Sequence, residues 1–202
     1  MKKLFICLAV IAASAFVPAA NSLTKEERDK ATQFLTSTKE GVADAIRGLS
    51  DAQLKFKPAP DKWSIEDCVK HIAVTETMLW QMTNGNITAP ANPEKRADIK
   101  WSDDDVMKNI TDRSNKVKTS APMEPQNAGF ATLEDALKSF IENRGKLVDY
   151  VNSTNDDLRN HVATLPFASF DCYQMILFIG AHSKRHTAQI DEVKADPGFP
   201  KN

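Results

Sequence analysis

Four long stretches of the chain repeat apolar residues at the three- and four-residue spacing of a helix face, and between the second and third the pattern lapses over residues 84 to 131. The first stretch opens at Thr24, where Thr24 and Glu27 form a capping box, and carries Phe34, Leu35, Val42, Ala45, Ile46 and Leu49 toward Gly48. Pro58 and Pro60 then forbid a helix, since each lacks an amide donor and clashes with the preceding turn. The second stretch starts from Ser64 with Asp67 three residues on, shows Ile65, Cys68, Ile72, Leu79 and Met82 on one side, and should end at Asn84-Gly85-Asn86. The third opens at Thr132 with Asp135 and runs through Leu137, Phe140, Ile141, Leu147, Val148 and Val151. The fourth follows Pro166 and Ser169, runs through Cys172, Met175, Ile176, Ile179, His182, His186, Ile190 and Val193, and is stopped by Pro197.

Pro90, Pro93, Pro122 and Pro125 frame a shorter helix from Ser102 to about Lys118 within the irregular region. A connection of that length between core helices predicts a crossover, not a tight hairpin. No segment shows sustained strand alternation, and no repeat is visible. The expected fold is all-α, a four-helix bundle with a long crossover connection between the second and third helices, spanning residues 24–196 as one domain.

Residues 1–20 differ from the rest: Lys2 and Lys3, an apolar run from Leu4 to Val17, then Pro18-Ala19-Ala20. A basic head, an apolar stretch and small residues describe a secretory signal peptide, with Val17-Pro18-Ala19 or Ala20-Asn21-Ser22 as the cleavage frame. The expected destination is periplasmic or extracellular, with no stable membrane anchor after cleavage. Loss of Lys2 and Lys3 leaves 24 basic against 27 acidic residues, a charge of −3. Without a basic patch there is no electrostatic footprint for a nucleic acid, so none is expected as partner. A small-molecule substrate is expected instead, and a homodimer stays open.

The chain has four histidines, and His182 and His186 are four apart, so on a helix they project from one face a turn apart. His71 lies near the start of the second helix, close to its apolar side. One histidine from one helix and two from another is a way for bundles to build a core metal site. Glu66, Glu76 and Gln189 are candidates to support the ligands or move protons, although first-turn placement of Glu66 already suits the helix dipole. Trp63, Trp80 and Trp101 read as packing residues, and His161 as an exposed loop histidine. Helix rise places Cys68 and Cys172 at different heights, about 10–20 Å apart, too far for a disulfide.

Trp63-Ser64-Ile65-Glu66-Asp67-Cys68-Val69-Lys70-His71-Ile72 resembles the Trp-Ser…His-Leu segment of the DinB/YfiT-like superfamily of bacterial metal-binding bundles. His182-Ser183-Lys184-Arg185-His186-Thr187-Ala188-Gln189-Ile190 is similar to that family's closing His-x-x-x-His-x-x-Gln motif. The resemblance runs from about residue 24 to 195. It implies a four-helix bundle with His71, His182 and His186 as ligands of a divalent metal ion, often nickel, zinc or manganese. A signal peptide departs from the family's thiol transferases, which work in the cytosol. Three neutral imidazoles leave an ion its full charge and an open position, the design of catalytic zinc sites. The expected activity is therefore that of a metal-dependent hydrolase or small-molecule group transferase, with a non-catalytic metal- or ligand-binding bundle as the alternative. No catalytic residue is assigned beyond the ligands.

Overall fold

A computed structural model describes residues 22–201, so the signal peptide expected at 1–20 lies outside the described residues. The four long helices are α1 (Lys25–Ile46), α3 (Ile65–Thr88), α5 (Leu133–Ser153) and α6 (Cys172–Lys194), with two shorter ones, α2 (Asp51–Lys55) and α4 (Asp103–Thr111). Side chains start them: Thr24, Ser64, Ser102 and Thr132 each accept the amide of the acidic residue three positions on. Three of these form reciprocal capping boxes, and so does Ser50 with Gln53 at α2, a signal present in the sequence but outside the four expected helices.

α1 packs against α5 and α6, and α3 packs against the same two, so α1 and α3, the first two long helices, face each other across the bundle. The run from 89 to 132 between α3 and α5 is the expected crossover, and its α4 lies against α6. α3 and α6 are antiparallel. Cys172 at the start of α6 lies 3.8 Å from the Thr83 carbonyl late in α3, whereas His182 and His186 reach His71 near the start of α3. At Gly180 the α1–α6 approach is so close that a Cβ would stand 2.9 Å from a Phe34 ring carbon.

Three boundaries differ from the sequence reading. α3 runs on to Thr88, because Asn86 and Thr88 turn their side chains back onto the carbonyls of Met82 and Asn84. α4 stops at Thr111, not near Lys118, because Asp112 accepts both the amide and hydroxyl of Ser114 and bends the chain out of the helix. A two-stranded antiparallel hairpin, β1 (Val162–Leu165) with β2 (Ala168–Asp171), stands where no strand was expected. Four residues per strand are too few for alternation to show. The hairpin delivers Asp171 as the cap of α6, accepting the Gln174 amide.

The core divides into two apolar clusters. One surrounds Leu35, Phe170, Tyr173 and Ile176; the other gathers Val42, Ile65, Ile72, Phe140 and Ile190. Between them Arg144 of α5 is fully buried, donating to both carboxylate oxygens of Glu76 on α3 at 2.7 Å each. The same guanidinium reaches the Leu35 carbonyl and Thr38 hydroxyl of α1 and the Ser183 hydroxyl of α6. One side chain thus ties all four long helices at one level. Cys68 and Cys172 are both buried and free, in different clusters, as the helix-rise argument requires.

Candidate metal centre

His71, His182 and His186 converge just to one side of this polar layer. Helical spacing puts His182 and His186 on one face of α6, and the antiparallel α3 brings His71 to the same level. The Nε2 atom of His182 lies 3.2 Å from Nε2 of His71 and 3.2 Å from Nε2 of His186. Among the described residues no cysteine, aspartate or glutamate joins this group. His71 and His186 are buried, and His182 is partly exposed.

The other ring nitrogens decide what those Nε2 atoms carry. Nδ1–H of His71 donates to the Met123 carbonyl at 2.6 Å. Nδ1–H of His186 donates to Oε1 of Gln189 at 2.9 Å. A neutral imidazole has one N–H, so in both rings Nε2 holds a lone pair aimed into the cluster. Burial pulls all three imidazoles below their ordinary pKa, and for His182 and His186 the neighbouring rings add to it, so the neutral form is favoured. The lone pairs of His71 and His186 both point toward Nε2 of His182, which joins them as a third donor when its own proton is on Nδ1. Three neutral imidazole nitrogens, two of them on rings oriented by outer hydrogen bonds, are a donor set that a divalent transition ion takes.

Trp63, expected to be a packing residue, is part of the site wall. Its ring lies 4.7 Å from that of His71 and 5.9 Å from that of His186, covering both. Trp80 and Trp101 pack as expected, against Tyr150 and Phe170. Gln189 supports a ring, in line with the sequence reading. Glu76 does not: both its oxygens are committed to Arg144, and burial pushes its carboxyl up against the guanidinium's pull. Glu66 pairs with Lys70 on its own helix at 2.8 Å. His161, expected exposed, is partly buried and donates from Nδ1 to the Asn86 carbonyl at 2.9 Å, away from the cluster.

Sequence reasoning missed Arg113, Met123 and Arg144. All three act on groups distant in the chain, and no local pattern marks a backbone carbonyl as the partner of a ring far upstream. Arg113, in the crossover, grips both carboxylate oxygens of Glu192 at 2.7 and 2.9 Å and donates at 3.1 Å to the same Gln189 oxygen that holds His186.

Comparison with known proteins agrees with this architecture. The sequence matches the model of the DinB superfamily over residues 15–190. It is 28% identical over 150 residues to the uncharacterized protein YuaE of Bacillus subtilis, an alignment covering 74% of this chain and 88% of YuaE. The fold is similar to that of YfiT from Bacillus subtilis, with a TM-score of 0.60 at 17% identity, covering 90% of this chain and 94% of YfiT. YfiT is described as a probable metal-dependent hydrolase with an unusual four-helix bundle topology.

Proposed function

The chain belongs to the DinB superfamily, and from that premise we propose that His71, His182 and His186 hold one divalent metal ion and that the protein is a metal-dependent hydrolase or small-molecule group transferase. The meeting of three Nε2 atoms, two of them with lone pairs freed by outer hydrogen bonds, carries this reading. The metal is nickel, zinc or manganese; imidazole donors suit nickel and zinc better than manganese, which prefers oxygen ligands. Such an ion supplies Lewis-acid polarisation of a carbonyl or phosphoryl oxygen and a lowered pKa for a water.

The protein's own residues prepare the place where that chemistry occurs. Met123 and Gln189 hold the Nδ1 protons, which keeps two rings in the tautomer that ligates. Trp63 shields His71 and His186 from water on one side, leaving the His182 side for a substrate. With no fourth side-chain ligand among the described residues, the set resembles open catalytic sites and not closed structural ones. YfiT's description as a probable metal-dependent hydrolase supports the same reaction class. We place the mature protein outside the cytosol, on the pattern of residues 1–20.

Metal analysis of the purified protein, followed by reloading after chelation, tests the site. One ion per chain is expected, with the affinity largely lost in His71→Ala, His182→Ala and His186→Ala. Equal binding by the triple variant would sink the proposal. A screen of ester, amide and thiol-transfer substrates, comparing loaded with chelated protein, then tests catalysis; a loaded protein inert throughout would leave the binding alternative in its place. Export is checked by cell fractionation with amino-terminal sequencing of the mature chain.

A further inference from the structure

Two of the three rings are oriented by the crossover and not by the helices alone. The segment 112–132 has no regular structure beyond two single 3₁₀ turns, at Ala121–Met123 and Pro125–Asn127. It touches the imidazole cluster and its helix at three points. The Met123 carbonyl takes the His71 Nδ1 proton at 2.6 Å. Arg113 is mostly buried and spends its guanidinium on Glu192 and on the oxygen of Gln189 that holds His186. Arg185, the residue before His186, donates to the Asn115 carbonyl at 2.6 Å. Between these anchors Lys116, Val117 and Lys118 are exposed, Val117 by 83%.

We propose that the crossover segment 112–132 is a working part of the imidazole site, in which Arg113 acts through Gln189 as a positioning residue, so that filling the site and docking the segment strengthen each other. The inference rests on the proposed metal site. Its physical basis is polarisation. A ring whose Nε2 binds a cation becomes a better Nδ1–H donor, which tightens the bonds to Met123 and Gln189. Arg113 in turn fixes the Gln189 amide with its oxygen toward His186. Coupling of this kind is reciprocal by thermodynamic necessity: whatever the segment does for the ion, the ion does for the segment.

The test uses zinc as probe and two readouts, neither of them activity. Zinc affinity is measured by chelator competition for wild type, Arg113→Gln, Gln189→Ala and the double variant. Arg113→Gln should weaken zinc binding on the order of ten-fold or more, the range seen for groups that orient metal ligands. In the Gln189→Ala background the same change should have a smaller further effect, because the hydrogen-bonded route from Arg113 to the His186 ring runs through Gln189. The second readout is trypsin cleavage at the exposed Lys116 and Lys118, which lie between the anchors. Cleavage there requires local opening, so zinc should slow it in wild type and slow it less in Arg113→Gln. If wild type binds neither zinc nor nickel nor manganese, the metal site itself is refuted. Should wild type bind zinc while Arg113→Gln binds equally well, or the two substitutions prove additive, the positioning role is refuted. Were Arg113→Gln not to fold, cleavage of wild type at the same rate with and without zinc would overturn the coupling by itself.

Discussion

The two ends of α6 treat charge in opposite ways. At its amino-terminal end Arg159 gathers three carboxylates: Glu27 from α1, Asp103 from α4 and Asp171, the cap of α6 itself. Each sits in the first turn or cap of a helix, where a negative charge meets the positive end of the dipole, and the guanidinium binds them together while lying 4.1 Å over the Tyr173 ring. Donors and acceptors are matched there. Fifteen residues further along, His186 closes a cluster of three imidazoles whose Nε2 atoms meet, with no carboxylate in it among the described residues to compensate a cation. The first arrangement has its charges paired and holds the fold; the second offers the donor set that the proposed ion would take.

The largest expected effect lies between the two ends, in the Arg144–Glu76 layer. Arg144→Met should cost about 3–5 kcal/mol in urea unfolding, because it strands a buried carboxylate. Arg144→Met with Glu76→Leu should recover much of that loss, since no unpaired charge stays behind. A double variant as unstable as the single one would show that the layer's bonds to Thr38 and Ser183 carry the energy instead.

Metal linkage comes next. Zinc at one hundred times its dissociation constant should stabilise wild type by about 2.7 kcal/mol, seen as a rise in Tm, and should do nothing for His182→Ala. In chelated protein His182→Ala should change stability by less than about 1 kcal/mol, because the side chain is partly exposed. A large loss in the chelated state would make the imidazole cluster structural and erase the contrast between the two ends.

Arg159→Gln should cost about 2 kcal/mol, more than a lone surface pair, because three carboxylates lose a shared partner. It should also change the acid limb of stability. Burial raises the carboxyls of Glu27 and Asp103, but their hydrogen bonds and the charge of Arg159 outweigh it, leaving both below their ordinary 4.5 and 3.8. Depressed acids stabilise the fold above those ordinary values, and the contribution is lost as pH falls through the lower, folded-state values. Asp171, raised by burial, works in the opposite direction and offsets part of it. Unfolding measured from pH 7 to 3 should therefore show a shallower acid decline in Arg159→Gln than in wild type; an equally steep decline would place the acid sensitivity elsewhere.

The smallest effect concerns the thiols. Burial pushes both Cys68 and Cys172 up, so they should react slowly in the folded protein. On unfolding without reductant, both should be counted free in the mature chain. A count of zero would mean a bridge between the two core clusters and a different packing of α3 on α6.

Helix starts were legible in the chain alone because a cap is a local contract: Thr24 with Glu27, Ser64 with Asp67 and Thr132 with Asp135 need only three residues' separation to be recognised. The three histidines were legible for a similar reason, since a four-residue spacing defines a face and apolar neighbours show which way it points. Helix ends were less so. α3 outran Asn84-Gly85-Asn86, and α4 fell short, because side-chain-to-backbone bonds settle an end and several are open to the same sequence. What tertiary structure alone decided is which distant groups meet. Nothing near Glu76 announces Arg144, nothing near His71 announces the Met123 carbonyl, and Trp63 became a wall of the site only when α6 arrived beside α3. Periodicity records which side of a helix is buried, but a partner far along the chain leaves no mark on the spacing, so pairing is settled only when the helices close around one core.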